Sequence, residues 1–374
     1  MTTQISVPAS GVNLPVSGLR IEGERRPEIV LDSATAAMSA NRHDSAVLTC
    51  KVPSREVGAL ERQPLSFEIG TSPAYTFRGN IYRVEKAQRL QAQVVCKLHC
   101  IGITSRAKTP VFGLLRDVTA EGLADRVLPP VGLSYYSSGS TERFPRVALT
   151  GRDAWDIVVA GADLSGRRVS SLNGAVWYFD PIAELERRLA AFTFRKSIDS
   201  YGSGDRTLLD FIPGSTRPKV SNQDLPRAAW FAPDGSVRTE APSGDNTYWL
   251  QDVYLPTDDY AKAIFAKARK AFTLGETATA RVKGVPQIIP GVVVDISTGV
   301  VSTLTDTYDG LWVVTDVTHS VVNGSFQTQL GLLRDKYRRA STTGTYQWFY
   351  QRAKRPYPTA ALDRGEWVSS WRNR

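Results

Sequence analysis

The stretch LWVVTDVTHSVVNGSFQTQLGLLRD, residues 311 to 335, constrains the fold more than any other part of the chain. Asn323-Gly324 is the dipeptide that most favours a two-residue type I′ turn, because both central residues of that turn need positive φ. The two flanking segments are therefore predicted to pair as antiparallel strands. The expected cross-strand pairs are Val322 with Ser325, Val321 with Phe326, Val317 with Leu330, and Thr315 with Leu332.

Both predicted strands place their apolar residues on the same side, which indicates a half-buried antiparallel ribbon. A shift of one residue in the pairing would move every apolar side chain to the wet side. His319 also falls on the apolar side near the turn, where a structural role is expected. The predicted dry face carries Leu311, Val313, Val317, Val321, Phe326, Leu330 and Leu332. The predicted wet face carries Asp316, Thr318, Ser320, Gln327 and Gln329, with Trp312 at its far end.

A chain of 374 residues is expected to form two or three domains. The sequence has no apolar run long enough for a transmembrane helix. The N-terminus lacks the basic and apolar segments of a secretory signal, so we expect folding in a cytoplasm. Three cysteines give no disulfide framework. The net charge of +9 suits contact with nucleic acid, an acidic protein or an anionic surface, but it is spread along the chain as on an ordinary solvated surface.

Residues 18 to 102 contain short segments in which apolar and polar residues alternate, separated by turn residues. The last of these segments places Cys96 and Cys100 on one face and His99 on the other. Many short strands at close spacing indicate a small barrel or sandwich. The predicted strands are 19–21, 29–31, 45–52, 65–69, 76–88 and 91–102.

Helical patterns appear between the strands in the middle of the chain. Apolar residues recur at helical spacing there, and Pro129-Pro130 is expected to end the first helix. This part is therefore predicted to be α+β. The predicted elements are helices at 117–128 and 151–164, strands at 146–149 and 175–179, and a short helix that begins at Asp180-Pro181.

The second half of the chain is predicted to return to β structure after a loop-rich stretch. Residues 199–247 are rich in Gly, Ser, Pro and Asp and are predicted to be loops around a few short strands. A helix is predicted from Asp258 to about Phe272, capped by Thr257, with its charges arranged as the helix dipole favours. Strands resume from Thr277. Both β regions have a glycine-marked strand and then a long ribbon, so we predict a structural duplication without repeated sequence.

The C-terminal stretch combines aromatic and basic side chains. This composition is typical of an interface hot spot, and docking against this chain or a neighbouring subunit is the simpler expectation. Stacking on single-stranded nucleic acid is the alternative. The residues predicted to form a partner interface are Tyr346, Trp348, Phe349, Tyr350, Trp367, Trp371, Arg352 and Arg355.

The sequence carries no clear catalytic, metal-binding or cofactor motif. His43, His99 and His319 have no metal-ligand spacing. Cys96 and Cys100 point away from His99 on their strand, so buried structural thiols are expected. The chain has no nucleophile elbow, Walker A loop or dinucleotide fingerprint. We therefore predict no catalytic residues, no metal and no cofactor.

Four segments, taken in order, resemble the baseplate hub proteins of phage tails. YTFRGNIYRVEKA (75–87) looks like the first-barrel strand of that family, and DVTAEGLADRVLPPVGLSY (117–135) is similar to the helix that opens its inserted domain. VALTGRDAWDIVVAGADLSGRRVSSLNGAVWYF (147–179) resembles its next unit. VKGVPQIIPGVVVDI and the following ribbon, 282–334, resemble the closing strands of its second barrel. The family includes late control protein D and the hub-like part of VgrG spike proteins.

The resemblance implies a fold that is mainly β with α+β insertions: two small antiparallel β-barrels joined by α+β domains. It implies a homotrimeric ring in a virion, assembled in the host cytoplasm, that adapts a sixfold tail tube to a threefold spike and lets DNA pass. Expected partners are a tail tube or distal tail protein above and a spike or fibre protein below. A tail-associated cell-wall hydrolase and a nucleic-acid-binding protein remain alternatives. The predicted regions are 1–103 (first barrel), 104–198 (α+β), 199–256 (loop-rich connection), 257–340 (helix and second barrel) and 341–374 (C-terminal arm).

Overall fold

The protein folds mainly into β-strands, which confirms the predicted fold class of β structure with α+β insertions. No helix within the described ranges is both long and apolar enough to cross a membrane. The computed structural model describes residues 4–6, 13–70, 74–90, 92–137, 143–172, 175–187, 189–196, 205–216, 227–232, 234, 236–239, 247–254, 259, 274–298 and 308–334.

The first part of the chain is an antiparallel sheet. Its buried side chains alternate with polar ones along each strand, as the sequence pattern predicts, and they share one core. The strands are β1 (Gln4–Ser6), β2 (Asn13–Ile21), β3 (Glu24–Arg25), β4 (Val30–Ser39), β5 (Ser45–Pro53), β6 (Pro64–Ile69), β7 (Tyr75–Leu90) and β8 (Gln93–Gly102).

The middle of the chain combines short helices and strands around a second core. Its elements are β9 (Pro110–Thr119), α1 (Ala120–Val127), β10 (Ser134–Tyr136), β11 (Arg143–Asp153), α2 (Ala154–Leu164), β12 (Arg168–Leu172), β13 (Ala175–Phe179) and α3 (Pro181–Arg187).

The remaining strands divide between two sheets. Three of them, β16 to β18, return to the α+β part and form the sheet β17-β16-β18-β11-β9. The others join the large sheet. The strands are β14 (Phe192–Arg195), β15 (Asp205–Thr216), β16 (Arg227–Phe231), β17 (Val237–Thr239), β18 (Thr247–Tyr254), β19 (Glu276–Lys283), β20 (Val293–Ser297), β21 (Gly310–Val322) and β22 (Ser325–Arg334).

The large sheet contains two six-stranded modules. The first module comprises β2 and β4 to β8, and the second comprises β14, β15 and β19 to β22. In the second module the pairing of β21 with β22 closes the ring β21-β20-β14-β15-β19-β22 into a barrel. In the first module β2 and β4 stand at the two ends of the ladder, and both lie against β21.

The two modules have the same strand order. Numbered within each module, the strands follow the order 1-4-5-6-3-2, which is β2-β6-β7-β8-β5-β4 in the first and β14-β20-β21-β22-β19-β15 in the second. The first strand differs in direction, because β2 is antiparallel to β6 whereas β14 is parallel to β20. The predicted duplication is thus confirmed at the level of strand order, without repeated sequence.

The irregularities of the strands repeat as well. When the two long hairpins are aligned by their two-residue turns along β8 and β22, the bulge at Tyr82 in β7 coincides with the bulge at Thr315 in β21. The bulge at Asp32 in β4 likewise coincides with the bulge at Leu209 in β15. Bulges redirect a strand and increase its twist, so their recurrence indicates that both modules bend at equivalent places. Two further irregularities, at Ala87 in β7 and at Gly214 and Ser215 in β15, have no counterpart in the other module.

The predicted hairpin, now β21 and β22, is confirmed except at the end far from its turn. Asn323 and Gly324 have φ of 50° and 78°, as a type I′ turn requires, and the predicted pairs hold as far as Val317 with Leu330. The predicted pair of Thr315 with Leu332 is wrong, because Thr315 forms the bulge and Val314 takes its place opposite Leu332. Trp312, predicted on the wet face, is fully buried.

The helices form where predicted, but α1 and α2 begin three residues later than predicted because strands β9 and β11 extend to Thr119 and Asp153. Thr119 then caps α1, its Oγ1 accepting a hydrogen bond of 3.0 Å from the Gly122 amide. Asp180 caps α3 as predicted. The helix predicted over 258–272 lies outside the described residues except for Asp259.

Two strands are longer than their sequences indicate. β4 continues to Ser39 through a run of small residues, and β15 occupies 205–216, inside the stretch predicted to be loops around a few short strands. In both cases a neighbouring strand supplies the pairing that the local sequence does not predict. The predicted domain boundaries remain predictions.

Candidate functional site: the strand shared by the two modules

Strand β21 belongs to both modules because it changes partner halfway along. Its first residues pair with β20, from Gly310 to Val313. Its second half, from Asp316 to Val322, pairs with β4 of the first module. On its other edge, β22 pairs with it from Val313 to Val322. The two modules are therefore joined by one continuous backbone ladder.

The change of partner occurs at the Thr315 bulge. The carbonyl of Thr315 accepts a hydrogen bond of 2.9 Å from the Ala40 amide at the end of β4. The Thr315 hydroxyl donates to Asp316 Oδ2 at 2.7 Å. The Val314 amide and carbonyl bond instead to Val292 and Gly291 of the second module, at 2.8 and 2.7 Å. The bulge thus lets adjacent residues of one strand bond to different modules.

A buried histidine lies on the inner side of the shared strand. Thr328 Oγ1 accepts a 3.0 Å hydrogen bond from the Val285 amide and forms a second hydrogen bond with His319 Nδ1, 3.0 Å away. Burial keeps the imidazole neutral, and its Nε2 faces the Ile288 backbone without a hydrogen bond of normal geometry. Burial lowers the pKa of His319 to about 3. Its ring packs against Tyr75 of the first module at 5.1 Å between centroids, so the histidine is a core residue of the joint.

The far end of the second module is closed by a buried ion pair. Arg334 Nε lies 2.7 Å from Glu276 Oε2, and both side chains are almost fully buried. The guanidinium also donates to the carbonyls of Tyr308 and Asp309 at 3.3 and 3.1 Å and lies 4.1 Å from the centre of the Trp312 ring. This cluster ties together the ends of β19, β21 and β22.

The turn between β4 and β5 anchors the first module to the α+β part. Asn41 has φ of 62°, and its backbone amide and side-chain oxygen both bond to Val169, at 2.7 and 3.0 Å. Its side-chain amide donates to Asp163 at 3.2 Å, and its carbonyl accepts from the Trp155 indole at 3.4 Å. The His43 ring lies against the Trp155 ring at 4.4 Å between centroids.

Three carboxyl groups have the raised pKa values that a hydrolase would use. Burial raises the pKa of Asp44 and Glu184 to about 7 and that of Asp163 to about 6. Each carboxyl group belongs to a structural contact: Asp163 accepts from the Asn41 side chain, Glu184 pairs with Arg187 at 2.9 Å, and the Asp44 carboxyl group interacts with the Ser171 side chain. Raised pKa values here report burial in packing contacts rather than a substrate cleft.

The described residues contain no group of three or more His, Cys, Asp or Glu side chains that could hold a metal ion. Cys50, Cys96 and Cys100 are free and buried, as the strand pattern predicts for Cys96 and Cys100. Burial raises the pKa of the Cys100 thiol to about 12, so that thiol stays protonated and unreactive.

The predicted partner interface is not part of the described chain. All eight of its residues, in the stretch 341–374, lie outside the described residues. The residues that join the two modules to each other and to the α+β part were not predicted from the sequence, apart from the position of His319 on the apolar side. Only Asn41 carried a local signal, because asparagine is one of the few residues that readily adopts positive φ in a turn. Arg334 and Glu276 are 58 residues apart in sequence, and no local pattern pairs them.

Sequence comparison does not place this chain in a family. No family model matches it. No curated protein sequence matches it either.

Comparison of folds gives a clear result. The structure matches a tail protein from Neisseria meningitidis with a TM-score of 0.58 and 14% identity, over 86% of this chain and 96% of that one. It matches the 43 kDa tail protein of prophage MuSo2 from Shewanella oneidensis with a TM-score of 0.59 and 12% identity, over 85% of this chain and 98% of that one. The fold is that of phage tail proteins.

A third structure extends the likeness to secretion systems. The E. coli c3393 protein, a type VI secretion component described as similar to the T4 tail proteins gp27 and gp5, matches with a TM-score of 0.55. The identity is 8%, over 84% of this chain and 76% of that chain. At such identities the agreement lies in the fold. It confirms the resemblance to phage tail hub proteins and VgrG-like proteins that the sequence suggested.

Proposed function

We propose that the chain is a structural hub of a phage tail or a related injection particle, and that three copies form a ring. The observation that carries this proposal is the repeated strand order of the two modules. Three chains with two equivalent modules each present six similar units, which suits contact with a sixfold tube on one side and a threefold spike on the other. The fold likeness to tail proteins supports the same function.

The exposed face of the joined modules supports a role as a channel wall. Strands β7-β8-β5-β4-β21-β22-β19-β15 form one continuous ladder through the shared strand. The side of this ladder that points away from both cores carries small uncharged polar side chains, among them Ser33, Thr35, Thr318, Ser320, Gln327 and Gln329. The strands towards both ends of the ladder add charged side chains on the same side, among them Lys51, Lys97 and Arg281, so we place the DNA path along the uncharged strip around the shared strand.

A structural role also agrees with the chemistry of the described residues, whose buried carboxyl groups and histidines belong to packing contacts. We place the protein at the tail tip of a virion, with a tube or distal tail protein and a spike or fibre protein as partners. The aromatic and basic residues of 341–374, including Trp348, Tyr350 and Arg352, are proposed to contact one of these partners.

The mass of the purified protein in solution tests this proposal. Light scattering coupled to size-exclusion chromatography is expected to give three times the 41.1 kDa of one chain, and negative-stain images are expected to show an annulus. A protein that remains monomeric at every concentration would contradict the ring. Zymography on peptidoglycan and DNA binding at low salt test the hydrolase and nucleic-acid alternatives; we expect neither activity.

A further inference from the structure

The repeated strand order leaves one edge of β7 without the partner that its counterpart has. In β21 the half beyond the bulge, Asp316 to Val322, pairs with β4 on one side and β22 on the other. The equivalent half of β7, Arg83 to Leu90, pairs only with β8 among the described strands. The Val84 amide on this edge reaches only the exposed Glu61 carboxylate, at 3.4 Å.

A matching edge exists on the second module. Strand β15 is the counterpart of β4: both are second in their modules, and their bulges coincide at Asp32 and Leu209. On the side away from β19, β14 covers β15 only from Asp205 to Thr207. Beyond Thr207 that edge has no strand partner in the described part of the chain. Leu209 and Ile212 are 41% and 57% exposed there.

We propose that β7 of one subunit pairs with β15 of the next, repeating between chains the contact that β21 makes with β4 inside the chain. The partner is a second copy of this protein, and the inference rests on the proposed ring. The internal contact gives the expected register when Ala87, a bulged residue that β21 lacks, is left unpaired. The alignment is most direct from Asp210 to Pro213, because β15 has a second irregularity at Gly214 and Ser215 that β4 lacks. The predicted pairs are Arg83 with Thr216, Val84 with Ser215, Glu85 with Gly214, Lys86 with Pro213, Gln88 with Ile212, Arg89 with Phe211 and Leu90 with Asp210.

The hydrogen bonding of this contact follows from the same alignment. In the internal contact the Ala40 amide bonds to Thr315, so alternate residues from there, Ala34 and Ala36 among them, face β21. Their counterparts in β15 are Phe211 and Pro213. Proline has no amide hydrogen, so the contact between subunits has one hydrogen bond fewer than the internal one. An edge strand of this kind resists pairing with unrelated chains.

The contact joins different surfaces of the two copies, and such head-to-tail contacts close into rings when the rotation permits. Each chain would supply one β7 edge and one β15 edge. A trimer would then contain six similar joints, three within chains and three between them. The ladder of eight strands in each chain would continue around the whole ring.

Engineered disulfides test the register directly. Gln88→Cys combined with Ile212→Cys introduces thiols at a predicted pair, and the native cysteines are buried. Mild oxidation is expected to give covalent dimers and trimers as the main products on a non-reducing gel. The matched control combines Gln88→Cys with Leu209→Cys, which is exposed on the same strand but out of register, and is expected to remain mostly monomeric on the gel.

Hydrogen exchange provides a second measurement on the unmodified protein. The amides of Val84 and Arg89 are expected to exchange at least tenfold more slowly at concentrations where the trimer forms than where it dissociates. If the wild-type protein is a trimer, but the variant with Gln88→Cys and Ile212→Cys forms no crosslinks and the wild-type β7 shows no protection, this contact is wrong and the hub proposal stands. If the wild-type protein never assembles, the ring proposal itself is wrong.

Discussion

The two long hairpins, β7–β8 and β21–β22, occupy the same place in the two modules but differ in their surroundings. Both have two-residue turns, and the bulge at Thr315 has its counterpart at Tyr82 of β7, which carries a second bulge at Ala87. Around the first hairpin, Glu85 interacts with Arg83, Lys97 and His99 at 3.1 to 3.7 Å on a largely exposed surface. The equivalent positions of the second hairpin carry Asp316, Thr318, Gln329 and Gly331.

The difference shows which features belong to the module and which belong to its neighbours. Turn length, bulge position and strand order recur in both hairpins, so they define the module. Burial does not recur: Lys86 is exposed, whereas its counterpart His319 is fully buried. Strand β4 lies beside His319, and no described strand lies beside Lys86 on that edge. The burial of a side chain thus depends on which strands lie beside it rather than on its position in the module.

The largest difference between the hairpins is expected for their ion pairs. Arg334→Ala would remove the guanidinium from beside the buried Glu276 carboxylate, and removing one member of a buried pair costs about 3–5 kcal/mol. Chemical denaturation is expected to show this loss in the free energy of unfolding. The double variant Arg334→Met with Glu276→Leu should recover much of it, because apolar side chains fill the site without an unpaired charge.

Arg83→Ala is the matched control in the first hairpin. Its side chain is 62% exposed and lies 3.5 Å from Glu85, so solvent screens the interaction and stability should barely change. Equal losses in the two arginine variants would contradict the contrast between the hairpins.

Replacing a glycine, in contrast, is expected to cost more stability in the first hairpin than in the second. A Cβ at Gly79 would lie 2.1 Å from the Ile101 carbonyl oxygen, which is fixed in the sheet. A Cβ at Gly331 would lie 2.6 Å from Asp316 Oδ2, which can rotate away, and 2.8 Å from Asp316 Cβ, which can move only with its strand. Gly79→Ala should therefore destabilise the protein by about 3 kcal/mol, the upper range for overpacking, and Gly331→Ala by about 2 kcal/mol, because the closest approach is less severe and part of the clash can be relieved. Thermal unfolding of both variants checks this order.

How far the sequence predicts this molecule can be seen in the same hairpins. The Asn323-Gly324 turn and the alternation of apolar residues fix most of the register of β21 and β22, because both signals are local. The bulge at Thr315 was missed, since nothing in the strand itself requires it; the bonds that favour it come from Ala40 and the second module. The extension of β4 was missed for the same reason, because its small residues have no strong strand propensity and are held by β5 and β21.

The contacts that join the modules were therefore less predictable from the sequence than the strands that make them. His319 was placed correctly on the apolar side by alternation alone, but its bond to Thr328 depends on the pairing of two strands. The contacts of Asn41 with Val169, Trp155 and Asp163 bring together residues more than 100 positions apart in sequence. Such contacts become visible only when the topology is known.

Acidification is expected to act on the second hairpin through His319. Its pKa is about 3 in the folded protein, below the ordinary value of 6.5 that applies to the unfolded chain. The unfolded chain therefore binds the proton first, and the stability that neutral His319 provides is lost as the pH falls below 6.5. The loss is about 2 kcal/mol between pH 6.5 and pH 5.

Comparing the pH dependence of the free energy of unfolding in His319→Gln and in the wild-type protein isolates this effect. The carboxyl groups of Asp44, Asp163 and Glu184 act in the opposite sense, because their raised pKa values favour the folded state at low pH, but they are present in both proteins. The variant should show a smaller loss of stability on acidification, measured by urea denaturation at several pH values. An equal pH dependence in both proteins would mean that His319 is accessible to protons in the folded state.

The smallest effect is expected at the turn that defines the second hairpin. Asn323 has φ of 50°, a conformation that costs an ordinary L-residue roughly 1–2 kcal/mol but that asparagine and glycine adopt readily. Asn323→Ala should lower the free energy of unfolding by about 1 kcal/mol, whereas Asn323→Gly should leave it nearly unchanged. Because the register of β21 also fixes its contact with β4, a slip at the turn would shift the joint between the modules as well. A much larger loss in Asn323→Ala, accompanied by faster hydrogen exchange in β4, would show that the turn sets the register of both modules; a small loss confined to the hairpin would show that the β4 contact holds the register without it.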